Sequence, residues 1–495
     1  TWCIFMTIEQ DNLSAKQKDY AVYLPALSSF YATFVGKQRE TGNYVDPARV
    51  PSSFQNGVES LNFLNEKEGM FTYNQALYSA GHAVLDVAKD HPRDWMVTRR
   101  DRKKNLIVGD SGGFQIAKGT WEGNWPDTTD KATSKKRKQV LTWLDSVCDY
   151  GMTLDIPTWT VHDKKASAKT NIKTYQQAVD ITQFNNEYFI KNRTGACKFL
   201  NVLQGSNHTD ADHWYSLMKK YCDPKQYPND HFNGWGMGGQ NMCDLHLILK
   251  RLVTLHYDGL LLPGTHDWMH ILGTSRLEWA CVLTDTQRAV RANYNPQFTL
   301  SFDCASPFLA TANGQVYSVN EHPDRGKWVY RMSPCVDDKK YHNDTRPFAS
   351  AVLQDGLFDN FTDSIVTQGI QLKDVCIYAN GDLNKIGKEG KTSWDSFSYA
   401  ILMAHNVWMH IKAVQDSNVL YDQGKMPRML VNDLGAGTAV RDIINEVFAQ
   451  PTKEKSLAII EKHSTLWMQV VGNRGFSGKK ALNANTQFSN LFEMA

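Results

Sequence analysis

The chain is 495 residues long, enough for a core larger than that of one minimal domain, and 42% apolar with 21% charged residues excludes a fibrous or disordered class. A net charge of only +2 excludes a uniformly basic nucleic-acid binder, so any such affinity must come from local patches. Nine widely spaced cysteines without a C-x-x-C pair exclude a disulfide framework, and no apolar run approaches the roughly 18 residues of a membrane span.

No signal-peptide pattern opens the sequence, which begins at Thr1 as a processed or trimmed chain does. The expectation is a cytoplasmic protein with free thiols and no membrane partner.

Tyr20–Leu27 reads as a first short strand, stopped by its proline. Residues 38–66 read as loop, because Gly42, Pro47 and Pro51 break any periodicity. Met70–Tyr73 reads as the second strand and the stretch around Leu77–Ala88 as a helix. Leu106–Asp110 is a strand of the buried kind, since β-branched side chains suit a sheet covered on both faces. Polar residues 118–138, with Trp121 and Trp125, lead into a helix near 136–148. Then strands and helices alternate: Met152–Asp155, a helix from about 173 to 192, Phe199–Leu203, a helix near 210–221, a strand near 232–237 and a helix near 242–256. His270–Leu272, a helix at 276–292 and Phe298–Phe302 complete the series. Eight strands alternating with helical stretches predict a (β/α)8 TIM barrel over residues 1–305. Residues 306–495 read as a mostly helical C-terminal elaboration, with helices at about 395–415, 437–449 and 454–470 beyond a polar, turn-rich boundary at 305–345.

In such a barrel every strand ends at one mouth, where active sites are built. The polar residues at those ends are Asp110, Ser111, Asp155, Gln204, Gly238, Gly239 and Asp303. Taken alone, Asp110 and Ser111 read equally well as caps of a following helix. Together the set suits a flat heterocycle: Asp accepts from ring N–H and amino groups, while Gln and backbone amides donate to a carbonyl. Glycines let the backbone approach the ligand, and Phe114 offers a ring to stack on.

The motifs Asp110-Ser-Gly-Gly-Phe-Gln115, Leu154-Asp155, Leu203-Gln204-Gly205, Gly234-Trp-Gly-Met-Gly-Gly239, His270-Ile-Leu-Gly273 and Phe302-Asp303-Cys304 stand in one order. In that order and spacing, over roughly residues 20 to 310, the chain resembles the tRNA-guanine transglycosylase family of TIM-barrel base-exchange enzymes. The resemblance implies that Asp303 is the covalent nucleophile and Asp110 the general acid/base. It implies that Ser111, Asp155, Gln204, Gly238 and Gly239 read the base edge, and that Phe114 and Leu272 sandwich the base, Leu272 standing where the family has methionine. Two carboxylates suit the chemistry, one capturing the sugar C1′ cation as an ester and the other moving the proton of each base in turn.

The family's tRNA enzymes carry a C-x-C-x-x-C plus His zinc site after the barrel, whereas here Cys376 has no partner cysteines and His405 alone resembles the family's histidine. No zinc or other cofactor is expected, a rearranged site drawing on Cys335, His342 and His410 being the alternative. Ala305-Ser-Pro-Phe-Leu-Ala310 replaces the tRNA-contacting Arg and Thr that follow the family's nucleophile. The chain thus looks most like the divergent DNA-guanine transglycosylases, found especially in phages, that exchange guanine in DNA for 7-cyano-7-deazaguanine. The expected partners are DNA, free guanine and the 7-deazaguanine base, and the expected state is a monomer rather than a dimer. A tRNA enzyme with a degenerate zinc site and a non-catalytic nucleic-acid-binding paralogue stay open as alternatives. Basic clusters at Arg99–Lys104, Lys135–Lys138, Lys164–Lys165 and Lys479–Lys480 are the candidate phosphate contacts, or else solvated loops. A duplex would have to flip its target guanosine between Phe114 and Leu272. Asp244 stands where the family often has a Glu linked to the 7-substituent, and the resemblance leaves open whether that substituent differs here.

Overall fold

Short apolar runs that end in a polar residue or a glycine become the staves of a closed barrel. The computed structural model describes residues 10–41, 45–321, 329–349, 361–377, 392–425, 430–432 and 438–471. The staves are β1 (Val22–Pro25), β2 (Gln75–Ser79), β3 (Leu106–Asp110) and β4 (Tyr150–Met152), followed by β5 (Lys198–Leu203), β6 (Gly234–Met237), β7 (Trp268–Ile271) and β8 (Thr299–Cys304). All pair in parallel with their neighbours, and β8 pairs with β1. A bridge between Ala26 and Leu77, with the Leu27 N–H donating to the Leu77 carbonyl over 3.0 Å, closes the ring between β1 and β2. The fold is a (β/α)8 TIM barrel.

Strand period sorts the side chains into an inner and an outer set. Leu24, Leu77, Val108, Met152, Leu200, Val202 and Trp268 fill the lumen as one buried cluster. The same inward parity continues to Asp110, Gln204, Leu272 and Asp303, so the residues that end the staves face the mouth.

Around the barrel run α1 (Ser29–Thr41), α2 (Lys131–Val147), α3 (Tyr175–Asn192), α4 (His208–Met218), α5 (Leu245–Tyr257) and α6 (Leu277–Asn293). Their starts carry ordinary caps: Asp130 accepts from the Thr133 N–H, and Thr174 with Gln177 forms a capping box. Between β2 and β3 only a four-residue helix, Trp95–Thr98, stands where a full barrel helix belongs.

Four expectations need correction. Met70–Tyr73 is not a stave, for Phe71–Thr72 pairs with Asp11–Asn12 outside the barrel. The second stave is Gln75–Ser79, overlapping the stretch expected to be helical, because a short run buried almost throughout carries no period that separates buried strand from buried helix. The predicted loop at 38–66 begins inside α1, and residues 305–345 contain an antiparallel pair, β9 (Gln315–Glu321) and β10 (Val329–Pro334), rather than turns alone.

Beyond Cys304 the chain forms α7 (Ser306–Ala312), β9, β10 and α8 (Ser396–Asp422), then α9 (Val440–Phe448), α10 (Lys453–Lys462) and α11 (Ser464–Val471). The stretch expected as one helix at 454–470 is two, broken at His463. Helix α8 is buried on nearly every side, packing on α1, α6, α7 and β9. Its His410 ring stacks on Tyr23 of β1 at 4.5 Å and brings Nε2 within 3.5 Å of Cys304 Sγ, tying the elaboration to the strand that carries Asp303. No helix among the described residues is long and apolar enough to cross a membrane.

Candidate active site

Asp110 ends β3 beside Ser79, its register partner on β2, and the Ser79 hydroxyl donates to Asp110 Oδ2 over 2.6 Å. Burial pushes the Asp110 carboxyl above the usual carboxylate range; hydrogen bonds from Ser79 and the Gly112 N–H oppose this, and the nearby Asp303 charge adds to it. The two glycines that follow are both sterically required. Gly112 has φ +83°, and a Cβ there would lie 2.4 Å from the Trp121 ring; a Cβ on Gly113 would lie 2.6 Å from the Asp155 carbonyl oxygen.

Asp155 sits three residues past the end of β4 rather than on it. Helix α3 fixes that segment with buried polar residues: Asn185 donates to the Leu154 carbonyl over 2.8 Å, and Thr182 Oγ1 accepts from the Ile156 N–H over 3.0 Å. Gln204 Nε2 donates to Asp155 Oδ2 over 2.7 Å. Burial raises the Asp155 carboxyl to about 7, the Gln204 bond opposing and Asp110 adding a smaller upward push. Among the described residues Gln204 Oε1 is buried with no hydrogen-bond partner, an acceptor left for something else to fill. Asn241 donates to the carbonyls of Leu203, Gln204 and Gly238, which locks the ends of β5 and β6 together. Gly238 and Gly239 lie against Gln204, where a Cβ on either would come within 2.6 to 2.9 Å of its side-chain amide.

Asp303 is 2% exposed near the end of β8. Its Oδ1 accepts the Gly273 N–H at 2.9 Å and a hydrogen bond from His270 Nε2 at 3.0 Å. Among the described residues Oδ2 has no hydrogen-bond partner, and Asp303 lines the central cavity.

That cavity holds about 740 Å³ of empty space counted out to its open mouth. Asp110, Asp155, Gln204, Gly238, Gly239 and Asp303 line it, as do Phe114 and Leu272. Eight of the nine residues singled out from the sequence therefore converge. Ser111 is fully buried, does not line the cavity, and donates its hydroxyl to the Thr153 carbonyl over 3.0 Å. Asp244 also stays outside: it caps α5 through the Leu247 N–H and accepts from Gln240 at 3.1 Å, with His208 Nε2 at 2.8 Å.

Trp159, Met242 and Ser79 were not among the residues expected at the site. Trp159 lines the cavity and meets Phe114 with ring centroids 5.6 Å apart. An aromatic four residues beyond an acid at a strand end was its available signal. Ser79 could not be found while its stretch read as helix.

The basic clusters divide. Arg99–Lys104 precedes β3 and so lies at the end of the barrel opposite the mouth. Arg99 is bonded to Asp90, Arg100 is buried against the Val97 and Val147 carbonyls and Asp149, and Lys104 is paired with Glu66. Arg137 is buried too, its guanidinium 4.7 Å from the Phe184 ring and bonded to Asn185. Lys136 stands 4.8 Å over Trp121, and Lys164 and Lys165 open a helix on the mouth side after β4. Lys479–Lys480 lies outside the described residues. Among the described residues no three His, Cys, Asp or Glu side chains gather as a metal site. His405 directs its two ring nitrogens to Ser364 Oγ and the Tyr317 carbonyl, each at 2.8 Å.

No protein-family model matches the chain, and no curated protein sequence matches it.

Proposed function

We propose that the protein is a DNA-guanine transglycosylase, exchanging guanine in DNA for a 7-deazaguanine through a glycosyl ester of Asp303. The observation that carries the reading is one cavity in which a carboxylate with a bare oxygen, a second carboxyl raised by burial, and a polar edge formed by Asp155, Gln204 and Gly239 meet between Phe114 and Leu272. Asp303 Oδ2 attacks C1′ of the target nucleoside as the C1′–N9 bond breaks, its electron pair leaving with the base. Asp110, whose proton-bearing form burial favours, acts as the acid and gives its proton to that base, so neutral guanine departs and Asp110 is left as carboxylate. The incoming base loses its proton to Asp110, and its nitrogen displaces the Asp303 ester. Two displacements retain the configuration at C1′.

Two features favour a DNA substrate and a base with a neutral 7-substituent. Residues 305–310, which follow Asp303 where tRNA enzymes of the resembled family touch their substrate, fold away into α7, with Pro307, Phe308, Leu309 and Ala310 buried. Beyond Gly239 the cavity wall is Met242, while Asp244 is held by His208, Gln240 and the Leu247 N–H, so among the described residues no carboxylate besides Asp110, Asp155 and Asp303 lines the cavity. An aminomethyl cation would find no counter-charge there; a nitrile needs none.

The test offers plasmid DNA or bulk tRNA together with radiolabelled guanine or 7-cyano-7-deazaguanine. Label is expected in DNA. Label in tRNA alone would replace the DNA reading with a tRNA one, and label in neither would defeat base exchange.

A further inference from the structure

The donors on Asp303 Oδ1 are not equivalent in origin. Gly273 offers a backbone amide, which any residue there would supply. His270 offers a ring from the neighbouring strand β7, fully buried, at the end of a polar chain inside the barrel. Register places His270 directly beside Ser301, and Ser301 Oγ lies 2.8 Å from both His270 Nδ1 and Trp268 Nε1. An indole N–H can only donate, so Ser301 accepts from Trp268 and has its own proton left to give. The acceptor within reach is His270 Nδ1. Any other assignment strands the Ser301 proton in a site with no water contact, because Ser301 is itself fully buried. His270 therefore carries its proton on Nε2 and donates it to Asp303 Oδ1.

We infer that His270 is a positioning residue for the Asp303 nucleophile, an inference that rests on the base-exchange reading. A carboxylate held by one donor can turn about Cβ–Cγ and exchange its oxygens. Two donors converging on Oδ1 block that rotation, leaving Oδ2 as the oxygen presented to C1′. The same donors act in the second half-reaction. Once Oδ2 is esterified, Oδ1 is the ester carbonyl, and hydrogen bonds to it make the departing carboxylate a weaker base and a better leaving group. His270 does not line the cavity, so it touches neither base nor sugar; it acts through its bond to Asp303, with a lesser electrostatic pull that lowers the Asp110 carboxyl.

The experiment compares wild type with H270A, H270Q and S301A, using labelled base and the nucleic acid that wild type modifies, with thermal melts to confirm folding. H270A is expected to lower kcat by about ten- to a hundred-fold, the scale of a misplaced reacting group, with KM for the free base unchanged. H270Q, whose side-chain amide can still donate to Oδ1, restores most of kcat. S301A keeps the ring but releases the tautomer, and lowers kcat less than H270A does. Should H270A fail to fold, the order H270Q above S301A below wild type carries the same information. Unchanged kcat in folded H270A overturns the inference. So does a fall in kcat matched by a rise in KM and not relieved by H270Q, the mark of a structural histidine. A wild type that exchanges no base fails before any variant is made, and removes the parent reading together with this one.

Discussion

Gln204 donates its side-chain amide to Asp155 Oδ2 across 2.7 Å, and both residues are buried at the base of the mouth. If the proposed base exchange holds, this pair should make base recognition pH-dependent. Burial holds the Asp155 carboxyl near 7, so it is largely protonated in mildly acidic solution and anionic above neutrality. The N1–H and amino group of a guanine need an acceptor, which only the anion supplies in full. KM for the free base is therefore expected to fall as pH rises through about 7, and Asp155→Asn to flatten that dependence while raising KM. The folding sign is the opposite. A carboxyl raised from 3.8 to about 7 contributes stability that is fully present below the unfolded value and lost as pH rises through the folded one. Wild-type Tm should decline between pH 5 and 8, and the decline should be smaller in Asp155→Asn. A base KM that does not move across pH 7 would remove Asp155 from the recognising edge.

On the proposed base-exchange reading, Asp303 is the residue that forms the covalent ester. Asp303→Ala is expected to lower exchange by at least about a thousand-fold, as loss of a nucleophile does elsewhere. Asp303→Asn keeps the shape but has no anionic oxygen to form an ester, so denaturation during turnover should trap no nucleic acid on the protein. Electrophoresis of quenched reactions reads this directly, and a stable adduct in Asp303→Asn would assign the nucleophile to another group.

Much of this site is legible in the amino-acid sequence because its parts stand at strand ends, where parity alone decides which side chain faces the lumen. Asp110, Gln204, Leu272 and Asp303 follow from the run of apolar residues preceding each. Asp155 is legible as a residue but not in its exact place, since its position comes from Thr182 and Asn185 of α3 and not from strand pairing. The second stave reads wrongly because Ala76, Leu77 and Tyr78 are buried together, and full burial erases the alternation that marks a strand. Ser79, and with it one partner of Asp110, is hidden for that reason. The role of His270 depends on which residue of β8 lies beside it, and register between strands is not written in either strand alone.

Gly113 is tightly enclosed by its neighbours. A Cβ there would fall 2.6 Å from the Asp155 carbonyl oxygen and 3.1 Å from its Oδ1, so the backbone of one loop or the other must shift. Gly113→Ala is expected to destabilise the fold by about 1–3 kcal/mol, the range for inserting a methyl into a filled space. Because the displaced atoms belong to Asp155, KM for the base should rise in parallel. Chemical denaturation and base titration together check it, and an unchanged value in both would mean that the two loops do not touch.

The division of the basic clusters separates two lysine groups by their place on the barrel. Lys164 and Lys165 are exposed on the mouth side, near Trp159, whereas Lys104 lies at the far end of the barrel and is paired with Glu66. On the proposed reading, a nucleic acid reaching the cavity would pass the first pair and not the second. The double variant Lys164→Gln/Lys165→Gln is expected to weaken DNA binding and to reduce the slope of log Kd against log salt by about 1 for each phosphate that no longer meets a lysine. Lys104→Gln should leave that slope as it is. Binding isotherms over a series of salt concentrations decide the matter: equal slopes in all three proteins would put the nucleic acid on another face of the mouth, while a reduced slope in Lys104→Gln alone would put it at the opposite end of the barrel, away from Asp303.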